Sequence, residues 1–468
     1  MAPPRVANSK KKIAMSSSSN KRKTVVGQDR LSTLPDSLIH NIFGFLDMNQ
    51  VVQTSLLSKR WKSLWVSNSC VSIKYKDWRS EDRGYCVSND FYSDDFKKYV
   101  DRVLLLRDGS NIEKFYLECG GQSDIISLEG DWENEIETDI FKTWIASVMK
   151  RNVQEVILQD MEIVPSILKL LSGQIKYLTL DKVRFRGENN ELILSSNAME
   201  NLIIKECDFG YESRFTINAP NLNKLTVDGK DSSSTANSRI RICAQNLMVL
   251  LIKGSMYQDY SLENVSSLVT AFIDVYEVTG LFASHLKVDL AKQFSNLLKG
   301  LHNAKSLTLS AYSFQRFPEV PNLFDSLAAF QNLGFLKLTE WNITKYICVI
   351  AKLLEKFSNL ETLVLVGNDE FVHSDSQGRG GDWGAQLSLS PCMLLHLKSV
   401  EIQHPYECGN FFKFLEFLLK NAVDLESIVM TEMTTHATEK KKLVKLGKKL
   451  QVAPKSSSKV KIFLKERN

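Results

Sequence analysis

The chain has 468 residues, 43% of them hydrophobic and 24% charged, with a net charge of +5, and that length exceeds one typical core, so two or more domains are expected. No apolar run approaches the roughly 18 residues of a membrane-spanning helix, and no apolar segment follows the basic N-terminus as a secretory signal requires. Eight scattered cysteines without a C-x-x-C pair argue against a zinc site or disulfide framework and suit a reducing intracellular compartment.

The charge is unevenly placed. Residues 1–27 carry +7 and residues 435–468 carry +9, which leaves −11 on the body between them. An acidic body with basic ends is a poor nucleic-acid groove, because phosphate binding depends on Lys and Arg lining the site. Residues 1–27 are rich in Pro, Ser and Lys and cannot bury a core, so a disordered tail is expected. Its clusters Lys10-Lys11-Lys12 and Lys21-Arg22-Lys23 read equally as a bipartite nuclear-import signal or as a solvated tail.

From Asp29 to Val66 the pattern is helical. Pro35 fits the first turn of a helix, and Leu38, Ile42, Phe45 and Leu46 recur as one amphipathic stripe. Asp47 and Asn49 punctuate it; a second helix is expected over 51–58 and a third over 60–66. Segments under roughly 40 residues seldom hold a core unaided. The surplus apolar surface therefore needs a second surface, from the same chain or from a partner.

The run Leu34-Pro35-Asp36-Ser37-Leu38 with Ile42 and Leu46, followed by Leu57-Ser58-Lys59-Arg60-Trp61-Lys62-Ser63-Leu64-Trp65, resembles the F-box of plant F-box proteins. The resemblance implies docking to a Skp-type adaptor and, through it, to cullin and RING subunits of a ubiquitin ligase. Carried over by position, the adaptor-binding residues are Leu34, Pro35, Leu38, Ile42, Leu46, Val51, Leu57 and Trp61. Of these, Leu57 and Trp61, with Trp65, are expected mostly to pack the helices together. The plainer alternative is a helical hairpin packed on the following domain.

Beyond Cys70 a repeat Φ-x-x-Φ-x-Φ, with Φ apolar, begins at Ile112, Val153, Ile175, Met199, Leu222, Leu247, Leu268, Ala304, Leu333, Leu360, Leu397 and Leu425. Each unit supplies one short strand that cannot bury its own face, so neighbouring units stack on a shared core. Return segments over 167–171, 294–301 and 347–357 read as helices of an outer layer. The pattern is similar to the irregular leucine-rich repeats of plant F-box proteins. It departs from them eight residues after each start, where Asn or Cys usually ties down adjacent loop backbone; only Cys207 and Asn368 fit. A flat, uneven arc is expected.

Side chains between the Φ residues face the concave side. Tyr177, Ile203, Lys205, Leu251, Lys253, Phe335, Lys337 and Val364 are the candidate substrate-binding residues. Apolar groups such as Ile203, Leu251, Phe335 and Val364 on an exposed sheet face mark a binding surface, unless a loop or terminal segment covers them. Residues 372–389 read as a long glycine-rich loop without the strand and G-K-[ST] of a phosphate cradle. The last segment orders a strand at 397–402, a helix at 409–421, a strand at 425–430, a basic helix with Leu443, Leu446 and Leu450, and a closing strand at 460–464. This order is similar to the FBD segment that ends many plant F-box proteins, and its expected job is to cap the repeat stack.

The chain divides into four regions: 1–27 a disordered basic tail, 28–75 the F-box, 76–390 the solenoid and 391–468 the C-terminal cap. The fold class is α/β: a small three-helix F-box, an irregular leucine-rich-repeat solenoid of short parallel strands with outer helices, and an α+β cap. No H-E-x-x-H, G-x-S-x-G, P-loop or kinase set occurs, so neither a catalytic site, a metal nor a cofactor is expected. The leading expectation is a non-catalytic substrate receptor of an SCF-type (Skp–cullin–F-box) ligase, located in the nucleus, the cytoplasm or both, with no nucleic-acid or membrane partner. A non-degradative F-box scaffold and a small-molecule-sensing F-box receptor are the alternatives.

Overall fold

The structure is a computed structural model and describes residues 31, 33–75, 94–120, 135–186, 190–210, 212–229, 238–255, 259–276, 286–314, 327, 329–341, 343–367, 394–403, 409–432 and 437–466. The basic tail and the loop at 372–389 lie outside the described residues. The chain opens on helices α1 (Asp36–Phe43), α2 (Met48–Gln53) and α3 (Lys59–Leu64), then β1 (Cys70–Lys74), α4 (Asp94–Leu106), β2 (Lys114–Glu118) and α5 (Glu135–Met149). It continues through β3 (Glu155–Gln159), β4 (Glu162–Ile163), α6 (Pro165–Leu171), β5 (Tyr177–Asp181), β6 (Arg184–Phe185), β7 (Glu191–Ser195), β8 (Asn201–Lys205), β9 (Arg214–Asn218) and β10 (Lys224–Asp228). Next come β11 (Arg239–Cys243), β12 (Val249–Ser255), β13 (Asp259–Glu263), β14 (Thr270–Tyr276), α7 (Leu286–Gly300), β15 (Ser306–Ser310) and β16 (Phe335–Trp341). The chain closes with α8 (Ile343–Leu354), β17 (Thr362–Gly367), β18 (Ser399–Gln403), α9 (Gly409–Asn421), β19 (Ser427–Glu432), α10 (Ala437–Val452) and β20 (Lys461–Glu466).

One parallel sheet carries the molecule. Its fourteen described strands run β1-β2-β3-β5-β8-β10-β12-β14-β15-β16-β17-β18-β19-β20. Each of the twelve repeat starts is buried and stands two residues before one of these strands. The sheet also crosses both expected domain boundaries, since β1 pairs with β2 and β17 with β18. At β1 the starting position is Asn68, which satisfies itself locally by donating to Cys70 O at 2.5 Å and accepting from Cys70 N at 3.2 Å.

The returns come in two kinds, strands and helices; the longer repeats named below take helices, and α6 is a helical return within the 22-residue repeat from Val153 to Ile175. Between Ile175 and Leu268 the starts are spaced by 24, 23, 25 and 21 residues, and there the returns are strands: β7, β9, β11 and β13 form a second parallel sheet. Spacings of 36, 27 and 28 residues after Leu268, Leu333 and Leu397 admit helices α7, α8 and α9. A longer repeat leaves more room for a helix, whose rise is about 1.5 Å per residue against about 3.3 Å in a strand. A helix needs about twice the residues to cover the same return path. The helical returns expected over 167–171, 294–301 and 347–357 fall on α6, α7 and α8; the strand returns are additional, and their inward residues are Leu192, Leu194, Phe215, Ile217, Ile240, Ile242 and Tyr260. Phe185, Phe209 and Phe215 stack in this part of the core with ring centroids 5.1–5.5 Å apart.

Two devices tie adjacent repeats at the strand exits. Cys207 Sγ donates to Leu180 O at 3.4 Å, and Trp341 Nε1 donates to Leu309 O, also at 3.4 Å. Both acceptors are the fifth residue after their repeat start, so the indole of Trp341 does the work expected of Asn or Cys. Asn368 lies outside the described residues. Burial pushes the Cys207 thiol up to about 12, so it stays protonated and unreactive at neutral and mildly alkaline pH. Iodoacetamide at pH 8 is expected to spare Cys207 in the native chain and to label it after denaturation, as read by peptide mass spectrometry. A side-chain ladder also runs beside the strand entries: Asn246 Nδ2 donates to Asn221 Oδ1 at 3.1 Å, and Asn221 Nδ2 to Asn197 O at 2.8 Å.

At the C-terminal end, α10 buries Leu446 and Leu450, and Gly447 lies close to the Leu464 side chain of β20. Leu443 has no described side chain. β20 is the last strand and carries Lys461 and Lys465 on its outward face, charges that discourage edge-to-edge pairing.

Candidate functional site

The three N-terminal helices have two apolar faces. Pro35, at φ −59°, is the N-cap of α1 rather than part of its first turn, and its carbonyl accepts from Leu38 N at 3.0 Å and Ile39 N at 3.2 Å. α1 ends at Phe43, and the chain then turns tightly, with Phe45 N donating to Ile42 O. α2 starts on a capping box: Asp47 Oδ1 accepts from Gln50 N at 2.8 Å, and Gln50 Oε1 from Asp47 N at 3.2 Å. Ser58 caps α3 by accepting from Trp61 N. One face buries Ile39, Phe43, Met48, Val51, Trp61 and Leu64 in a core continuous with Val71 and Ile73 of β1. Phe43 and Trp61 meet edge to face, 5.7 Å between centroids.

The other face is open. Phe45 is 90% exposed, Leu56 88% and Leu38 46%, and Leu31 and Leu57 are also exposed. Leu34, Ile42 and Leu46 are half-buried and Pro35 is exposed. Arg60 holds the loop in place: its Nε donates to Asp36 Oδ1 at 2.9 Å and its Nη2 to Leu34 O at 2.5 Å. Arg60→Ala is expected to destabilise folding by roughly 1 kcal/mol or less, since the ion pair is solvated, and to loosen Leu34 and Pro35; hydrogen exchange at Leu34 reads the effect.

Two expected adaptor residues require correction. Val51 is fully buried and Trp61 is 3% exposed, so both serve the internal core and cannot meet a second protein. Leu57 departs in the opposite sense: it is exposed rather than packing the helices. The sequence stripe placed Leu38, Ile42 and Phe45 on one side, and Ile39 and Phe43, one position away, supply the buried side.

The second candidate surface is the outward face of the large sheet. Its register brings Ile203 and Leu251 into one row, two strands apart with Thr226 between them, and puts Lys205 and Lys253 in the adjacent row. Tyr177 stands one strand from β8 and donates to Glu200 Oε2 at 3.2 Å. Phe335 and Lys337 lie on β16, three strands beyond β12 in the sheet order. Val364 is a further correction: it is 5% exposed, a short side chain flanked in its row by the longer Lys337 and Glu401. The frame that located the others also places Ile157 and Phe272 outward in the row of Ile203, and neither was among the candidates.

Electrostatics on this face are local. Tyr116 OH lies 2.8 Å from both Glu118 Oε2 and Gln159 Oε1, and burial together with the Glu118 carboxylate raises its pKa. Burial also raises the Asp181 carboxyl, against the pull of Lys205 at 3.8 Å. Lys253 Nζ sits 5.2 Å from the Phe272 ring centroid. Among the described residues there is no cluster of metal-ligating side chains and no helix long and apolar enough to cross a membrane.

Residues 31–72 match the F-box domain family. Over most of its length the chain is similar to proteins of Arabidopsis thaliana. An F-box/LRR-repeat protein is 24% identical across 93% of this chain and 74% of the relative. A second F-box/LRR-repeat protein is 25% identical across 92% of this chain and 87% of the relative. An F-box/FBD/LRR-repeat protein is 22% identical across 85% of this chain and 87% of the relative. The chain thus carries an F-box followed by a parallel-strand repeat sheet, with plant F-box/LRR-repeat and F-box/FBD/LRR-repeat proteins as its homologues.

Proposed function

We propose that this chain is the substrate-recognition subunit of an SCF-type ubiquitin ligase. Its F-box docks to a Skp-type adaptor, which links it to cullin and RING subunits, and its repeat face holds a target protein. The observation that carries this reading is the two-faced helical trio. One set of apolar side chains is buried in a core shared with β1 of the same chain, while Leu31, Leu38, Phe45, Leu56 and Leu57 are each exposed. Five large apolar side chains left exposed within residues 31–57 support an interaction site there. The chain contributes no reacting group; holding a target beside the activated ubiquitin raises the effective concentration of the attacking lysine.

Co-expression with a Skp-type adaptor is expected to yield a one-to-one complex by size exclusion, and two separate peaks would sink the proposal. Proteasome inhibition in cells then separates a degrading receptor from a scaffold: only the receptor's bound partner accumulates. The two basic clusters of the N-terminal tail support a nuclear location, which a reporter fused to residues 1–27 tests by entering nuclei or staying out.

A further inference from the structure

The outward face between β3 and β14 carries a periodicity that strand pairing alone does not account for. Assigning a ligand to this face rests on its role as the target-binding surface. Its middle row is Ile157, Thr179, Ile203, Thr226, Leu251 and Phe272, one residue per strand in unbroken register. Two residues further along the strands, the next row is Gln159, Asp181, Lys205, Asp228, Lys253 and Asp274. From β5 to β12 the two rows alternate together. Ile203 comes with Lys205 and Leu251 with Lys253, whereas Thr179 comes with Asp181 and Thr226 with Asp228. All eight side chains are half-buried. The charge alternation is met partly within the sheet, where Lys205 lies 3.8 Å from Asp181. The apolar alternation has no such pairing: Ile203 and Leu251 are only half-buried and keep apolar surface open to solvent.

We propose that this face receives an amphipathic α-helix of the target, laid across the strands with an apolar side chain over Thr226, the shorter side chain, and so the hollow, between Ile203 and Leu251. Strands lie about 4.8 Å apart, so the surface repeats every ~9.6 Å. A helix repeats one face every seven residues, about 10.5 Å, and matches when inclined by about 25°. A fully extended segment repeats a face every ~6.7 Å and misses alternate hollows. A polyproline helix repeats every ~9.3 Å but is slender and engages one row, whereas an α-helix about 10–12 Å across covers both rows. Charge complementarity gives the docked helix acidic residues over Lys205 and Lys253, and basic residues over Asp181 and Asp228. Each kind recurs at seven residues, offset from the other by three or four.

The test uses the full chain and synthetic peptides of about three heptads, with binding read by fluorescence anisotropy. The first peptide carries leucine every seventh residue, flanked by Glu and Lys alternating every three to four. A second has a central proline, a third exchanges Glu with Lys, and a fourth is proline-rich with leucine every third residue. The first is expected to bind, and the other three to bind roughly tenfold more weakly or worse. Thr226→Arg, which fills the hollow, should remove binding without moving the thermal midpoint; Lys205→Glu with Lys253→Glu should weaken the first peptide and strengthen its charge-exchanged twin. Equal binding by the proline-broken peptide, preference for the proline-rich one, or no peptide binding at all overturns the proposal. Adaptor capture by Thr226→Arg is measured alongside and should be unchanged, so failure of helix docking and failure of the ligase assignment are read on separate assays.

Discussion

Replacing Leu38 and Phe45 with aspartate is expected to abolish capture of a Skp-type adaptor while leaving the chain folded. Both side chains stand in solvent on the open face of the helical trio, Phe45 at 90% exposure. Surface substitutions away from buried contacts usually change stability by no more than about 0.5 kcal/mol. At an interface the same residues act as anchors, and losing two apolar anchors costs roughly 3–4 kcal/mol or more, on the order of a thousandfold in Kd. Phe43→Ala, two residues from Phe45, should do the reverse. Phe43 is fully buried against Trp61, and its truncation costs about 3–5 kcal/mol of folding stability. Calorimetric titration with the adaptor and thermal unfolding of both variants separate the two faces. If the Leu38→Asp, Phe45→Asp variant captures adaptor as the parent chain does, the open face is not the docking face.

That contrast also shows where sequence reading stops. The stripe Leu38, Ile42 and Phe45 was legible, but periodicity cannot say which of two neighbouring stripes a partner covers. Ile39 and Phe43 occupy the adjacent stripe and are the ones buried, Phe43 against Trp61 of α3. The repeats were legible wherever their first residue is apolar, which is why all twelve starts lead into strands. β1 was missed because its start is Asn68, whose amide is satisfied by Cys70. The strand returns were missed because Leu192, Leu194, Phe215 and Ile217 alternate like the main strands yet lie outside the Φ-x-x-Φ-x-Φ frame. On the outward face, the frame set the direction of Ile203, Leu251 and Val364 but not their exposure. Val364 is hidden by its position between Lys337 and Glu401, a property of register rather than of its own repeat.

Gly254→Ala is expected to be the most disruptive single-methyl change in the solenoid. At the exits of β3, β5 and β8 the chain turns through one left-handed residue: Asp160, Lys182 and Glu206, at φ 50°, 54° and 49°. Each donates its N–H to the next strand, to Asp181 O, Lys205 O and Asp228 O at 2.7–3.0 Å. Side chains are tolerated there, at about 1–2 kcal/mol per residue, because φ lies within the small left-handed basin. Gly229 continues the series by donating to Lys253 O at 2.8 Å, and Gly254 then sits at φ +108°, beyond that basin. A Cβ on Gly254 would lie 2.6 Å from Gly229 O and 2.7 Å from Gly229 N, backbone atoms that cannot swing aside as a side chain can. Strain of a few kcal/mol would add to the contact, and relieving either means breaking the Gly229–Lys253 bond that joins β10 to β12. In a stacked repeat array each unit is held by its neighbours, so a broken interface in the middle releases both flanks. Thermal unfolding should therefore show the single transition of the parent chain split or shifted far down, with exchange protection lost first around β10 and β12. Unfolding indistinguishable from the parent would mean that the exit ladder does not hold the repeats together.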